Sequence, residues 1–289
     1  MNYDQFEHIQ VDIEDRIIKA TFNNPPMNLI DRDLFDELNR FTLTVANDPT
    51  PVVLVFKSAD PDFFIAHAEI ARLYEFEHVQ VETDTKSLEL NQLQDICERV
   101  RTMDKISIVQ IEGRTGGGGA EFAMACDMRF GAIGKAVFQN PAVPLGSTTG
   151  GGGSQYMPRL IGKARAMELL LGGLDLDAIT AERWGYINRA LPPEELEAFV
   201  NLTARRIAAC PREAVRYTKE ALALAELPLV EGLHEEGIRF RRLLASQEHV
   251  TNVRRFLELG GETRSGELGM QELMRALLEP QNRAGSSRE

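Results

Sequence analysis

A run of four glycines at residues 116–119 constrains this chain more than any other feature of its sequence. The run follows residues 106–111, an apolar, β-branched segment that predicts a buried strand. It leads into an apolar segment beginning at Ala120 that predicts a helix. Glycines here let the backbone approach a bound molecule closely, and the start of the helix directs free N–H groups at it. The pattern therefore predicts a loop close to a bound molecule, and a carbonyl that becomes an oxyanion is one group that would fit there.

This glycine run has two other interpretations, a flexible linker and a phosphate-binding loop. A flexible linker would not be followed at once by an apolar helix that contains Glu121. A phosphate-binding loop would end in Gly-Lys-Ser or Gly-Lys-Thr, or would show GxGxxG spacing before a βαβ unit, and the run has neither. A second glycine-rich segment, residues 138–162, leads into a helix that carries Arg159, and alone it predicts a tight turn beside a ligand.

The order of predicted elements indicates an α/β fold with a helical C-terminal part. A polar stretch at residues 71–86 predicts a loop or lid. We predict a core over residues 1–192, a helical region over 193–279 and a disordered tail over 280–289. The predicted strands are residues 17–22, 52–57, 106–111, 128–133 and 137–138. The predicted helices are residues 31–47, 88–103, 163–171, 178–184, 193–208, 211–225 and 229–259.

Charge and cysteine usage exclude several classes of partner. A net charge of −12 argues against a general binder of nucleic acid or of anionic membranes, because both are polyanions. The three cysteines lack metal-ligand spacing. The N-terminus has no signal-peptide pattern, and no stretch approaches the roughly 20 apolar residues of a membrane helix. These features predict a soluble cytoplasmic protein that holds no metal.

Five segments together resemble the signature segments of the crotonase (enoyl-CoA hydratase/isomerase) superfamily. Their order and spacing are more specific than either glycine run, and the resemblance spans residues 8–258. Residues 111–127 (IEGRTGGGGAEFAMACD) are similar to the family's oxyanion-loop motif. Residues 138–159 are similar to its second catalytic segment, and residues 63–73 are similar to its first oxyanion segment. Residues 23–28 are similar to its loop near CoA, and residues 178–191 are similar to the helix-turn after its core.

The resemblance implies a crotonase-like ββα spiral core with an α-helical C-terminal trimerisation region. It implies a homotrimer or hexamer that processes an acyl-CoA thioester, with CoA as part of the substrate and no separate cofactor. The backbone N–H groups of Ala68 and Gly118 would form the oxyanion hole and stabilise a thioester enolate. By position, the resemblance implies substrate binding by Met27, Ala66, Ala68, Ile70, Arg72, Gly117, Gly118, Pro141, Ala142 and Gly146.

The chain lacks some of the carboxylate residues that the family uses in catalysis. The first of the two glutamates of family hydratases corresponds to Glu121, but the second corresponds to Ala142, and a further family carboxylate position corresponds to Gly150. His67 replaces the usual glycine before Ala68, and imidazole titrates near neutrality. Loss of one acid predicts slow hydration of crotonyl-CoA, unless another group, His67 first, transfers the proton.

Three functions remain open from the residues. One is an enoyl-CoA hydratase or isomerase with Glu121 as the surviving acid/base. A second is a decarboxylase or other single-acid lyase, and a third is a non-catalytic acyl-CoA binder. Gln139 and Asn140 are candidates to hold a water or a polar acyl group, and Arg72 and Arg255 are candidate contacts to CoA phosphates.

Overall fold

The computed structural model describes residues 1–70 and 89–279. The predicted lid and the predicted tail lie outside these residues. The strands, in chain order, are β1 (Ile9–Glu14), β2 (Ile17–Phe22), β3 (Val53–Ser58), β4 (Phe63–Ile65), β5 (Ile106–Ile111), β6 (Arg114–Gly116), β7 (Met128–Ala132), β8 (Val137–Gln139), β9 (Leu176–Asp177) and β10 (Arg189–Leu191). The helices are α1 (Arg32–Asn47), α2 (Gln92–Thr102), α3 (Gly117–Ala125), α4 (Gly153–Ile161), α5 (Lys163–Gly172), α6 (Ala178–Trp184), α7 (Pro193–Ala208), α8 (Arg212–Ala223), α9 (Leu229–Leu244), α10 (Gln247–Glu258), α11 (Arg264–Leu268) and α12 (Met270–Leu278).

The described strands form two sheets that the chain visits in turn. The first has the order β1-β2-β3-β5-β7-β10 and is parallel except for the β1–β2 pair. The second has the order β4-β6-β8-β9, with only the β8–β9 pair antiparallel. Three successive turns, β3-β4-α2, β5-β6-α3 and β7-β8-α4, each place one strand in each sheet before a helix. This is the predicted ββα spiral of an α/β fold.

The first sheet is held by a continuous apolar core. In β5 all residues except the first are buried, as expected for a parallel strand covered on both faces. Phe122 of α3 packs edge-on against Phe56 of β3, with ring centroids 4.9 Å apart, and against Phe22 of β2 at 6.1 Å. Such aromatic pairs contribute about 0.5–1.5 kcal/mol each beyond their buried area. They anchor α3 on the sheet directly beside Glu121.

Helix ends differ from the predictions where side chains cap them. The Asp31 side chain accepts a hydrogen bond from the Leu34 N–H and caps α1, which begins at Arg32, one residue later than predicted. Helix α2 begins at Gln92, four residues later than predicted, because Asn91 and Gln94 form a capping box. The single helix predicted over residues 229–259 is wrong. Ser246 caps a new helix there, so α9 and α10 are separate.

The chain divides into two compact units, Met1–Ala204 and a second that begins at Arg205. Within the described part of the second unit, helices α8 to α11 contain no buried residue. Apolar side chains on them face outward, with Leu229 76% exposed and Phe240 59% exposed. No helix of the described residues has the length and apolar character needed to cross a bilayer.

Candidate active site

Three turns of the spiral bring three segments together at the start of α3. The strands β4, β6 and β8 are parallel neighbours, so the segments that follow them lie side by side. An ideal Cβ built on Gly117 would lie 3.3 Å from the Cβ of His67 and 3.9 Å from the Cδ of Pro141. One built on Gly118 would lie 3.5 Å from the Cβ of Ala68. The two predicted oxyanion segments and the second catalytic segment therefore meet here.

The Ala68 N–H is directed away from its neighbouring segment. Ile30 and Ala68 form a parallel bridge, in which the Ile30 N–H donates to the His67 carbonyl and the Glu69 N–H donates to the Ile30 carbonyl, both at 3.0 Å. These two bonds flank Ala68, so its own N–H and C=O point to the opposite side. Among the described residues, the Ala68 N–H has no acceptor.

Gly118 carries a second N–H group of this kind. It is the second residue of α3, where N–H groups have no partner inside the helix. The residue that precedes the helix, Gly116, offers no side chain to cap it. Among the residues that the structure describes, nothing accepts from the Gly118 N–H. The helix start adds a partial positive charge, which favours an oxyanion at this place.

Gly118 and Gly119 differ in the space around them, so the same substitution should destabilise the protein to different extents at the two positions. A Cβ on Gly119 would lie 2.6 Å from the Ile65 carbonyl oxygen, whereas a Cβ on Gly118 makes only ordinary contacts of 3.4 Å or more. We expect Gly119→Ala to lower the free energy of unfolding by about 1–3 kcal/mol through overpacking. Gly118→Ala should change it by less than about 1 kcal/mol. Urea unfolding of both variants measures the difference, and equal losses would contradict the stated packing.

Glu121 is buried at the centre of this arrangement, with 3% of its surface exposed. Its Oε1 accepts a hydrogen bond from the Gly153 N–H at 2.8 Å. Burial raises the pKa of the Glu121 carboxyl, and this outweighs the hydrogen bonds from the N–H groups of Gly153, Gly151 and Gly150, which lower it. The carboxyl group is thus fixed in orientation and able to hold a proton at a higher pH than an exposed glutamate.

The second glycine run surrounds that carboxyl group. A Cβ on Gly153 would lie 2.9 Å from Glu121 Oε1, and one on Gly151 would lie 3.1 Å from Oε2. Gly152 precedes α4 with φ at 111° and no capping side chain. Glu121 takes the place of that cap, because a carboxylate at a helix N-terminus satisfies free N–H groups. The sequence did not reveal this link between the two glycine runs.

The segment after β8 contains no acid. Residues 138–162 include neither aspartate nor glutamate. The N–H of Ala142 donates to Asn140 Oδ1 at 3.1 Å, and its carbonyl accepts from the Ser147 N–H at 2.9 Å. Asn140 is buried, and its Nδ2 has no partner among the described residues. This segment can position a polar group but cannot exchange a proton.

The other predicted contact residues have varied surroundings. The Met27 carbonyl accepts from the Ala66 N–H at 3.3 Å, which ties the loop predicted to lie near CoA to the first oxyanion segment. Gly146 is exposed, with φ at 81°. Ile70 is partly buried at the end of the first described range, and Arg72 lies outside the described residues.

Two predicted polar contacts have other partners. The Gln139 side chain donates to the Gly173 carbonyl at 3.0 Å. In the second unit, Arg255 donates to the carbonyls of Ala276 and Glu279, where it closes the end of α12. These bonds hold both side chains in structural positions.

Sequence reasoning missed Arg129, which fixes the far end of α3. Its buried guanidinium donates to the carbonyls of Cys126, Ala123 and Met124 at the helix C-terminus and to that of Tyr186. A cation there satisfies free carbonyls and complements the helix dipole. The available signal was a lone arginine inside the apolar strand β7.

Known proteins share this architecture. The family model described as enoyl-CoA hydratase/isomerase matches residues 12–262. A protein named crotonyl-CoA hydratase, from Syntrophomonas wolfei, is 30% identical over 256 residues, covering 88% of this chain and 96% of that protein. A short-chain-enoyl-CoA hydratase of Clostridium acetobutylicum is 28% identical over 219 residues, covering 75% of this chain and 82% of that protein.

The likeness extends to solved structures. The crystal structure of an enoyl-CoA hydratase from Bacillus anthracis superimposes with a TM-score of 0.78 at 25% identity, covering 87% of this chain and 96% of that one. The family match spans most of the chain, and the fold agrees with it. The chain therefore belongs to the enoyl-CoA hydratase/isomerase family of the crotonase superfamily.

Proposed function

We propose that this protein is an acyl-CoA enzyme that hydrates an enoyl-CoA thioester through an enolate. The observation that carries the proposal is a pair of backbone N–H groups, on Ala68 and Gly118, at the start of the helix that holds the buried Glu121. Neither N–H has an acceptor among the described residues. A thioester carbonyl oxygen placed between these donors gains negative charge as the enolate forms. One such donor contributes about 2.7–4 kcal/mol to the transition state.

In this proposal Glu121 exchanges the proton at the α-carbon. Burial raises the pKa of the Glu121 carboxyl, and the hydrogen bond from the Gly153 N–H fixes its orientation. The names of the relatives from Syntrophomonas wolfei and Clostridium acetobutylicum support an enoyl-CoA substrate. Met27, Ala66, Ile70, Pro141 and Ala142 are proposed to line the path of the thioester, with CoA itself as the handle.

A second candidate reaction is decarboxylation by a single-acid lyase. It is favoured by one observation, the lack of any carboxylate in residues 138–162. Loss of carbon dioxide from a malonyl-type thioester leaves an enolate, which needs the two N–H donors and one proton donor. Purified protein tested against enoyl-, 3-hydroxyacyl- and malonyl-type CoA thioesters separates the two. Release of carbon dioxide would favour the lyase, and binding without turnover would leave a non-catalytic acyl-CoA binder.

We also expect the protein to assemble as a homotrimer or a hexamer of this chain. Large apolar side chains on α8 to α11 are exposed, with Leu222 70% and Leu229 76% exposed, and exposed apolar patches mark interaction surfaces. Further copies of the chain would cover these side chains. Light scattering at micromolar concentration should report three or six chains per particle, and a stable monomer would contradict the expectation.

A further inference from the structure

The hydrogen bond of the His67 side chain fixes the tautomer of its ring. Nδ1 lies 2.8 Å from the carbonyl oxygen of Ala68. A carbonyl oxygen can only accept, so Nδ1 carries the hydrogen, and Nε2 of the neutral ring is left with a free lone pair. The neutral imidazole can therefore accept a proton at Nε2.

The hydrogen bond places the ring on the same side of its segment as the Ala68 N–H. The Ala68 carbonyl points away from Ile30, to the same side as the Ala68 N–H, and the imidazole binds that carbonyl. The Cβ of His67 and the Cδ of Pro141 approach the same point beside Gly117, at 3.3 and 3.9 Å. His67, which is part of the first oxyanion segment, thus lies close to Pro141 in the segment that lacks an acid.

Among the residues that the structure describes, few ionisable groups are in the elements around this position. Of the elements packed against His67, α3 contributes Glu121, and the segment of His67 itself contributes Glu69. The segment of residues 23–30 and the segment after β8, residues 139–149, contribute none. Hydration needs two proton transfers, one from water and one to the α-carbon, and general acid–base groups typically contribute 10²- to 10⁴-fold each.

We propose that His67 is the catalytic base of the hydration, an inference that rests on the proposed function. Nε2 takes a proton from water as its oxygen bonds to the β-carbon, and the electron pair of the double bond moves to the thioester oxygen. The N–H groups of Ala68 and Gly118 hold the resulting enolate. Glu121 then gives its proton to the α-carbon as the carbonyl re-forms. The proton on the imidazolium returns to the Glu121 carboxylate through solvent, so one water is consumed and no net proton is gained or lost.

The variant His67→Asn tests this role. The asparagine amide can still donate to the Ala68 carbonyl but cannot accept a proton. We expect kcat for crotonyl-CoA to fall about 10²- to 10⁴-fold, with little change in KM. The pH profile of kcat should also change shape, because asparagine has no ring nitrogen that can accept the proton. The matched control Glu69→Gln alters the nearby charge and should keep both the rate and the profile.

A rescue experiment distinguishes chemistry from folding. Adding Ala142→Glu to His67→Asn supplies a carboxylate next to Pro141, and we expect it to recover at least about tenfold in kcat. If the wild type is active and His67→Asn has the same rate and the same pH profile, this inference alone is overturned. The same holds if His67→Asn raises KM and leaves kcat unchanged. Failure of the wild type to turn over any enoyl-CoA would overturn the proposed function and this inference with it.

Discussion

Replacing Glu121 by glutamine is expected to lower kcat for crotonyl-CoA by about 10²- to 10⁴-fold, because the amide cannot transfer a proton. The fold should survive, since the amide oxygen can still accept from the Gly153 N–H that now bonds Oε1 at 2.8 Å. Steady-state kinetics and binding of a saturated acyl-CoA measure the two effects separately. We expect the affinity for the saturated thioester to be retained.

The control for this variant is Glu121→Ala, which removes the cap of α4 as well as the acid. It should lower the free energy of unfolding by about 0.5–2 kcal/mol relative to Glu121→Gln. Equal kcat in wild type and Glu121→Gln, with a loss of stability in Glu121→Ala alone, would make Glu121 a helix cap without a role in catalysis.

The raised pKa of Glu121 gives a second control on the same variant. A raised carboxyl pKa means that the folded state disfavours the ionised form. The stability of the wild type relative to Glu121→Gln should therefore be greatest at low pH. It should decline as the pH rises from the ordinary carboxyl range through the raised pKa of Glu121. Urea unfolding of both proteins at a series of pH values measures this difference in stability. If the stability of the wild type relative to Glu121→Gln increases as the pH rises, the effect of burial on Glu121 is contradicted.

Replacing Gly118 by proline is expected to lower kcat/KM by about 10²- to 10³-fold, because it deletes one of the two oxyanion donors. Proline is tolerated in the first turn of a helix, where the N–H has no intrahelical acceptor. The variant should therefore remain folded. Steady-state kinetics with crotonyl-CoA and a circular dichroism melt measure the two properties.

Gly118→Ala is the matched control for the proline variant. It keeps the N–H and adds a Cβ that makes ordinary contacts with Leu93, Ala68 and Ile30. We expect alanine to retain most of the activity that proline removes. If both variants lose activity equally, the cause is the added side-chain atoms beside Leu93 and Ala68, and the Gly118 N–H is not the donor.

Much of the fold could be predicted from local pattern. Residues 17–22, 106–111, 178–184 and 193–208 have the predicted type and the predicted bounds, because each is a run of one periodicity between clear boundary residues. The short strands β4, β6 and β9 were not predicted. They contain two or three residues each, which is too few to show an alternation of apolar and polar residues. Their pairing depends on the spiral of the whole chain.

The break between α9 and α10 was missed for a different reason. Apolar spacing continues across Ala245 and Ser246. The His249 N–H donates a hydrogen bond to the Ser246 side chain, and this cap starts the new helix. Serine caps are common but also occur inside helices, so pattern alone does not place them.

The site was predicted in its parts and not in its connections. The glycine run and the resemblance pointed to Gly118, Ala68 and Glu121. The structure places Gly118 beside Ala68, although the roles of the three residues stay predictions. The sequence could not show that Gly153 binds the carboxylate of Glu121, because 32 positions separate them and their contact depends on two turns of the spiral.

The most direct test of the proposed function is the reaction of crotonyl-CoA with purified wild-type protein in deuterium oxide, followed by NMR. Formation of an enolate between the N–H groups of Ala68 and Gly118 predicts a 3-hydroxybutyryl-CoA product with one deuteron at the α-carbon. Its rate should fall in Gly118→Pro and persist in Gly118→Ala. Crotonyl-CoA that is bound but unchanged, or a product formed equally fast by Gly118→Pro, would contradict the proposed site.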